Sequence, residues 1–253
     1  MSEIEPIKRR RAVYLLPNLF TTGGMFCGFY AIIAASQHKF EHACVAIFIA
    51  AVLDGLDGRV ARLTNTQSEF GVQYDSLADL VSFGMAPALL IYHWSLIHMQ
   101  LDGKPYGKLG WLIAFLYAAC AALRLARFNS QVGVVDKRWF IGLASPAAAA
   151  VISSFVWVCF EAGWAGEAIR YGALGLTALV GLLMVSNVRY SSFKGSGKGP
   201  QADRVPVYVP ILLILAIIAL VINQPNTLLF VFGLYALSGP MNWLLKKVGS
   251  SRQ

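Results

Sequence analysis

Long apolar runs alternate with short polar segments along this chain, and the alternation predicts membrane-spanning helices. Several runs approach the roughly 20 apolar residues with which a helix crosses the hydrocarbon core of a bilayer. We therefore expect an all-α integral membrane protein with eight transmembrane helices. The predicted spans are Leu19–Ser36, Ala43–Arg62, Phe70–Tyr92, Leu109–Phe128, Ser145–Phe160, Ala168–Val188, Val205–Ile222 and Thr227–Leu245.

The composition supports this class of protein. Of the 253 residues, 57% are hydrophobic and 13% are charged, whereas soluble domains carry about 25% charged residues. The net charge of +8 would suit a nucleic-acid-binding protein, but the basic residues lie between the apolar runs and not on one face of a soluble fold. We therefore expect membrane lipids around the chain and no nucleic-acid partner.

The basic residues also predict the orientation of the spans. If the N-terminus lies in the cytoplasm and successive loops alternate sides, only Lys39, Lys104, Lys108 and Arg170 of the 21 lysines and arginines fall outside. An excess of basic residues is typical of cytoplasmic loops. We therefore expect an even number of spans, both termini in the cytoplasm, and a location in the cytoplasmic (inner) membrane.

Four aspartates stand where the second predicted span ends and the third begins. Asp54 and Asp57 are three residues apart, and Asp75 and Asp79 are four apart, so each pair lies on one face of its helix. The loop between the two helices is short, which makes them antiparallel neighbours. We therefore expect the four carboxylates to converge at the cytoplasmic side of the bilayer.

Four carboxylates at one point would repel one another, and a divalent cation would remove the repulsion. Oxygen ligands without cysteine or histidine suit Mg²⁺ or Mn²⁺, as one ion or two, and Ca²⁺ could occupy the same site. Pairing of the aspartates with Arg59 and Arg62 is a structural alternative, although two arginines cannot neutralise four aspartates. A transporter of divalent cations is another, although its carboxylates should lie near the middle of the membrane.

The aspartates belong to a longer spacing pattern. It reads Asp54-x-x-Asp57-Gly58-x-x-Ala61-Arg62, then eight residues, then Gly71-x-x-x-Asp75-x-x-x-Asp79. In every element this pattern resembles the signature of the CDP-alcohol phosphatidyltransferases. The resemblance implies transfer of a phosphatidyl group from CDP-diacylglycerol to an alcohol, with release of CMP. It also implies a homodimer and a six-helix core, here residues 1–195, followed by a cytoplasmic linker at 196–204 and two additional helices at 205–253.

The same resemblance implies roles for single residues. Asp54, Asp57 and Asp75 are expected to bind metal, and Asp79 is expected to share in metal binding and to act as general base toward the attacking hydroxyl. For Asn18, which is expected to reach the nucleotide, capping of the first predicted span is an alternative. The residues expected to contact the nucleotide are Asn18, Asp54, Gly58, Ala61, Arg62, Thr64, Ser68 and Gly71.

Segments that flank the aspartates bear on the acceptor alcohol. The stretches at 14–21, 79–88 and 122–129 resemble those of the membrane-embedded, bacterial and archaeal type of phosphatidylserine synthase, which implies that L-serine is the acceptor. The residues expected to bind serine or phosphate are Ser82, Arg124, Arg127 and Asn129, since a carboxylate suits a bidentate arginine. Anchoring of a helix by the two arginines and packing of the serine between helices are alternatives, and glycerol 3-phosphate or an inositol phosphate stays open as the acceptor.

Overall fold

Long helices account for most of the chain, at the places where the apolar runs predict them. The computed structural model describes residues 7–64, 68–130, 139–191 and 218–250. The predicted linker at 196–204 and most of the predicted seventh span, Val205–Ile222, lie outside these residues. The helices are α1 (Ile7–Ser36), α2 (Phe40–Leu63), α3 (Glu69–Asp79), α4 (Ala86–Trp94), α5 (Lys104–Ser130), α6 (Ser145–Glu161), α7 (Arg170–Val185) and α8 (Gln224–Ser250).

Within the part of the chain that the structure describes, three stretches of helix are long and apolar enough to cross a membrane, namely Pro17–Ser36, Glu69–Trp94 and Lys104–Ser130. The helices α6 and α7 are apolar as well but shorter. Large apolar side chains lie on the outer surface, for example Phe26, which is 68% exposed, and Phe115, which is 63% exposed. A surface of this kind suits lipid and not water. These features indicate a membrane-embedded protein.

The helices α1 and α2 form an antiparallel pair that is packed through small residues. Ala31, Ala34 and Ala35 of α1 are buried, as are Ala43 and Ala50 of α2. Small side chains at a helix interface let the two backbones approach closely and gain van der Waals contact in a membrane. The helix α1 also packs against α3, whereas the predicted neighbours α2 and α3 make few direct contacts with each other.

The helix that carries Asp79 changes its pitch directly after this residue. A π-helical segment, Leu80–Met85, follows α3, and α4 continues the same helix. Pro87 lies in the first turn of α4, where the wider preceding turn accommodates its ring and its missing N–H group. Within the π-helical segment, Ser82 donates a hydrogen bond to the carbonyl oxygen of Gly24 on α1 (3.1 Å). This bond holds the irregular turn against α1.

A short antiparallel pair of strands departs from the predicted all-α fold. The strands are β1 (Trp139–Ile141) and β2 (Arg189–Ser191), with Phe140 opposite Tyr190. Each has three residues, which is too few for an alternating pattern to predict it. The buried Tyr190 donates a hydrogen bond from its hydroxyl to the carbonyl oxygen of Ala236 on α8 (3.0 Å). The strand pair therefore ties the C-terminal helix to the remainder of the structure.

The helix ends far from the four aspartates are joined by an ion pair. Arg170, the first residue of α7, donates from Nε and Nη2 to the two carboxylate oxygens of Asp102, each at 2.7 Å. Asp102 ends a 3₁₀-helix, Leu96–Asp102, between α4 and α5. The hydrogen bonds from Arg170 lower the pKa of Asp102. This bidentate pair therefore fixes the start of α7 against the connection to α5.

Candidate active site

Three carboxylates meet where α2 ends and α3 begins. One oxygen atom from each of Asp54, Asp57 and Asp75 lies within 4.8 Å of the others. Asp57 is buried, with 5% of its surface exposed, and the other two are half-buried. The structure therefore brings together acidic residues from two segments, as their helical spacing predicts.

Asp79 lies one turn of α3 beyond Asp75 and lines the same cavity as the three clustered carboxylates. Its oxygens are not part of the group that lies within 4.8 Å of one another. Asp79 nevertheless interacts electrostatically with Asp54 and Arg124. The cavity measures about 10 Å³, which admits an ion or a water molecule but not a nucleotide. A nucleotide would therefore have to lie at the mouth of the cavity.

The clustered carboxylates fit a divalent cation. At an effective dielectric constant of about 20, two full charges 4.8 Å apart repel by roughly 3.5 kcal/mol. Oxygen ligands on opposite sides of one ion lie about 4.2 Å apart around Mg²⁺ and about 4.8 Å apart around Ca²⁺, twice the usual bond lengths. The oxygens of Asp54, Asp57 and Asp75 are therefore close enough to share one ion with little movement.

The two arginines at the end of α2 do not neutralise the cluster. Among the described residues, neither Arg59 nor Arg62 forms an ion pair with an aspartate of the cluster, and both side chains are exposed. The alternative in which these arginines pair with the aspartates and brace the helix ends is therefore not supported. Apart from the electrostatic interaction with Arg124, the negative charge is left for a ligand to balance.

A threonine of α1 completes the wall of the cavity and was not singled out by the sequence pattern. Thr21 is buried, and its hydroxyl lies 2.7 Å from Oδ2 of Asp57, to which it donates a hydrogen bond. The next residue, Thr22, shares a hydrogen bond of 2.8 Å with the hydroxyl of Tyr74 on α3. Threonine within an apolar run carries no distinctive signal, so only the packing of α1 against α2 and α3 reveals these contacts.

The residues predicted to contact the nucleotide fall into two groups in the structure. Gly58 borders open space, because a Cβ atom built there would meet nothing within 4 Å. Ala61 beside it is half-buried and Arg62 is exposed, so this side of α2 has room for a ligand. Thr64 instead donates to the carbonyl oxygen of Val60 (2.7 Å) at the end of α2.

The second group surrounds the start of α3. Ser68 is the N-cap of α3 and accepts a hydrogen bond from the N–H group of Gly71 (3.0 Å), as serine does at many helix starts. The side-chain oxygen of Asn18 lies 3.8 Å from the position that a Cβ atom of Gly71 would take. The alternative role of Asn18 as a helix cap is wrong, because α1 begins at Ile7 and Asn18 lies inside it.

Two of the predicted acceptor-binding residues lie beside the cluster. Ser82 is 2% exposed and lines the cavity, although its hydroxyl donates to α1. Arg124 donates from Nη1 to the hydroxyl of Ser145 (2.8 Å), and its buried Nε has no hydrogen-bond partner among the described residues. Asp79 and Asp54 interact electrostatically with this guanidinium. Arg124 therefore combines a fixed position with an unused donor near the aspartates.

The side chains of the other two predicted acceptor-binding residues are hydrogen-bonded to groups outside the aspartate cluster. Arg127 donates from Nη2 to the side-chain oxygen of Asn187 (2.8 Å) and from Nη1 to the carbonyl oxygen of Val185 (3.5 Å), at the end of α7. Asn129 donates to the hydroxyl of Ser76 on α3 (2.9 Å). Arg127 thus has the helix-anchoring contacts of the structural alternative, and its role toward an acceptor stays a prediction.

The chain is similar to known proteins over most of its length. The sequence model of a family described as CDP-alcohol phosphatidyltransferase matches residues 14–183. A protein of Helicobacter pylori named CDP-diacylglycerol--serine O-phosphatidyltransferase is 39% identical over 237 residues, which are 93% of this chain and 94% of that protein. Proteins of the same name from Methanocaldococcus jannaschii (31% over 199 residues, 78% of this chain and 82% of that protein) and Bacillus subtilis (34% over 181 residues, 71% and 91%) are also similar.

Proposed function

Since the chain belongs to the CDP-alcohol phosphatidyltransferase family, we propose that it transfers the phosphatidyl group of CDP-diacylglycerol to the hydroxyl of L-serine, giving phosphatidylserine and CMP. The observation that carries the proposal is the cluster of Asp54, Asp57 and Asp75, whose oxygens lie within 4.8 Å of one another. The names of the similar proteins from three organisms support serine as the acceptor.

The four aspartates would hold the divalent metal that this chemistry uses. Asp54, Asp57 and Asp75 would supply the shared oxygens, and Asp79 would complete the site from the next turn of α3. When bound, Mg²⁺ or Mn²⁺ supplies positive charge to the diphosphate oxygens and to the charge that develops on departing CMP. The hydrogen bond from Thr21 fixes the orientation of Asp57, and a fixed ligand loses less entropy on binding.

Asp79 is the proposed general base. The serine hydroxyl oxygen forms a bond to the lipid-side phosphorus, the bond from this phosphorus to the bridging oxygen breaks, and CMP leaves with the electron pair. The hydroxyl proton passes to Asp79, which must lie within hydrogen-bond reach of it. Among the described residues, the cavity lining contains no cysteine, histidine or lysine, which favours direct attack over a covalent phosphatidyl-enzyme.

The substrates would approach from different sides of the cluster. The open space beside Gly58, together with Ala61 and Arg62, would receive the nucleotide, and Asn18 with Gly71 would border it at the start of α3. Arg124 would bind the serine carboxylate, since its unpaired Nε lies near the aspartates. Thr64, Ser68, Arg127 and Asn129 are kept as weaker candidates for substrate contacts, because their side chains already have protein partners.

We further propose eight spans with both termini in the cytoplasm, the active site facing the cytoplasm of the inner membrane, and a homodimer. The apolar runs and the placement of the basic residues support the number and orientation of the spans. The proposed division into a core (1–195), a linker (196–204) and two additional helices (205–253) follows from the six-helix core that the family resemblance implies. The homodimer rests on the family resemblance.

The test is incorporation of labelled serine by the purified protein. With CDP-diacylglycerol and Mn²⁺ or Mg²⁺, we expect labelled phosphatidylserine and free CMP, and no product after chelation of the metal. Asp75→Asn serves as the inactive control. Transfer to glycerol 3-phosphate or an inositol phosphate, with none to serine, would correct the acceptor but keep the reaction class. Metal uptake by proteoliposomes without any lipid product would replace the proposal by a cation transporter.

A further inference from the structure

A buried serine at the start of α6 holds one end of the Arg124 guanidinium. Ser145 is the first residue of α6 and is fully buried. Its hydroxyl oxygen accepts a hydrogen bond from Nη1 of Arg124 on α5, with 2.8 Å between the two atoms. This bond joins α5 to α6 through side chains, so the position of Ser145 determines where the guanidinium lies.

The backbone that precedes Ser145 is fastened to the end of α7. The N–H group of Leu143 donates to the carbonyl oxygen of Leu183 (3.0 Å), and that of Gly142 donates to the carbonyl oxygen of Val188 (2.8 Å). Gly142 has a φ of 80°, in the left-handed region that favours glycine. These bonds give α6 a defined starting point. The Ser145 hydroxyl is therefore an acceptor in a fixed place.

Two contacts show how α5 is aligned with the helix that carries the aspartates. A Cβ atom built at Gly84, in the π-helical segment, would lie 3.3 Å from Cβ of Ala121 on α5. Further along α5, Asn129 donates its hydrogen bond to Ser76 on α3 (2.9 Å). The higher residue number on one helix meets the lower number on the other, so the two helices are antiparallel here. Arg124 lies between these two contacts.

This alignment places Arg124 beside Asp79. The two contacts are eight residues apart on both helices, so positions between them can be matched by counting. Arg124, three residues after Ala121, is level with Val81, which is two residues and about 3 Å along the axis from Asp79. The π-helical segment that begins after Asp79 also packs against α6, the helix of Ser145. The pair of Arg124 and Ser145 therefore lies at the level of the proposed general base.

The edge of the guanidinium that Ser145 leaves unoccupied is suited to a ligand. The hydrogen bond to Ser145 uses Nη1, and Nε of Arg124 is buried without a hydrogen-bond partner among the described residues. In an arginine, Nε and Nη2 lie on the same edge, and this edge binds a carboxylate with two parallel hydrogen bonds. A buried donor without a partner is costly, and a bound acceptor group removes the cost. The Nε edge is therefore the part of the group that remains for substrate.

We propose that Ser145 is a positioning residue, which holds Nη1 of Arg124 so that the Nε edge binds the carboxylate of the acceptor. A guanidinium whose rotation is limited in advance loses less freedom when the carboxylate binds. In serine the carboxylate and the hydroxyl are attached to neighbouring carbon atoms, so a carboxylate held at the level of Asp79 brings the hydroxyl within reach of the base. The inference rests on the proposed function, because it concerns an acceptor that carries a carboxylate.

The test is the steady-state kinetics of full-length Ser145→Ala, with serine and CDP-diacylglycerol varied separately. Loss of the hydrogen bond that holds the guanidinium should raise the KM for serine by about tenfold, with kcat and the KM for CDP-diacylglycerol unchanged. The inhibition constant of L-alanine, which has the carboxylate but no hydroxyl, should rise by the same factor, and that of ethanolamine should not.

Ser153→Ala is the matched control. Ser153 is also fully buried in α6, but its hydroxyl has no hydrogen-bond partner among the described residues. The variant makes the same chemical change in the same helix and should leave all three constants unchanged.

Removal of Arg124 shows whether Ser145 acts through it. In the Arg124→Ala background, Ser145→Ala should have no further effect on kcat/KM for serine, whereas in the wild-type background the same change should lower it about tenfold. Ser145→Cys keeps nearly the volume of serine but offers a weaker acceptor, so it should also raise the KM for serine, and it carries the test if Ser145→Ala does not fold. An unchanged KM for serine in whichever variant folds, or an equal loss of kcat/KM in both backgrounds, would overturn the inference. If the wild-type protein transfers nothing to serine, the proposed function is refuted and the inference falls with it.

Discussion

Replacement of Thr21 by valine removes one hydroxyl from the wall of the proposed metal site and keeps the branched shape of the side chain. In the structure the Thr21 hydroxyl lies 2.7 Å from Oδ2 of Asp57 and 3.1 Å from the carbonyl oxygen of Pro17. A hydroxyl has one hydrogen to donate, and the shorter distance and the negative charge favour the carboxylate. We therefore expect Thr21→Val to weaken metal binding more than it weakens the fold.

The size of the effect follows from the burial of Asp57. A hydrogen bond to a charged group contributes about 1.5–3 kcal/mol, and Asp57 is only 5% exposed, so water cannot readily replace the lost donor. If most of this energy serves to orient Asp57 toward the ion, metal affinity should fall by about 10- to 100-fold, which is the usual effect of removing a partner of a metal ligand.

The assay is a titration with Mn²⁺, read both as serine transfer and as direct Mn²⁺ binding by electron paramagnetic resonance without substrate. In Thr21→Val the half-saturating concentration should rise by this factor, and the maximal rate should return at high Mn²⁺. Thr21→Ser keeps the hydroxyl and should behave like the wild type. Thr22→Val removes the neighbouring hydrogen bond to Tyr74 and should leave Mn²⁺ binding unchanged. Identical Mn²⁺ binding in Thr21→Val and wild type would refute the positioning of Asp57 by Thr21.

Asp79→Asn should abolish serine transfer while binding of CMP, measured by calorimetry, is retained, and an active variant would exclude Asp79 as the base. Because hydrogen bonds from Arg170 lower the pKa of Asp102 in the folded state, their contribution to stability is present above the unfolded pKa of about 4 and is lost as the pH falls through the folded value. Asp102→Asn should therefore lower the unfolding temperature at pH 7 but not near pH 2, and a difference independent of pH would contradict this. A Cβ atom at Gly28 would lie 2.7 Å from Cα of Ser82, so Gly28→Ala should destabilise the protein by about 1–3 kcal/mol, and an unchanged unfolding temperature would exclude such close packing.

Most helices could be predicted because the apolar runs are long. The second predicted span, Ala43–Arg62, corresponds to α2, Phe40–Leu63, and the fifth, Ser145–Phe160, corresponds to α6, Ser145–Glu161. The pattern does not show the π-helical segment, because this part of the helix is apolar on nearly every side and a shift of the helical phase leaves no trace in it. It also misses the strand pair, since three residues carry too little periodicity.

Only part of the candidate site could be predicted from the sequence, as was the case for the fold. The carboxylates could be predicted because helical spacing fixes which residues share a face, and Asp54, Asp57 and Asp75 do come together. Contacts between helices that are distant in sequence could not be predicted. Arg124 and Arg127 look alike in the sequence and lie on neighbouring positions of α5, but the guanidinium of Arg124 is held by Ser145 of α6 and that of Arg127 by Asn187 after α7.

A cation bound among the enclosed carboxylates of Asp54, Asp57 and Asp75 would also affect how the surrounding helices pack. The oxygens of Asp54, Asp57 and Asp75 lie close together around a cavity of about 10 Å³, which leaves little room for the water that would otherwise screen their repulsion. The helix α1 contributes Thr21 and Gly24 to the lining of this cavity. A cation bound there would offset the repulsion between the carboxylates of α2 and α3, so the ion of the proposed reaction would also stabilise the two helices that carry these carboxylates. Because α1 contributes both lining residues and the hydrogen bond to Asp57, the first helix is as much a part of the proposed metal site as α2 and α3, which carry the carboxylates.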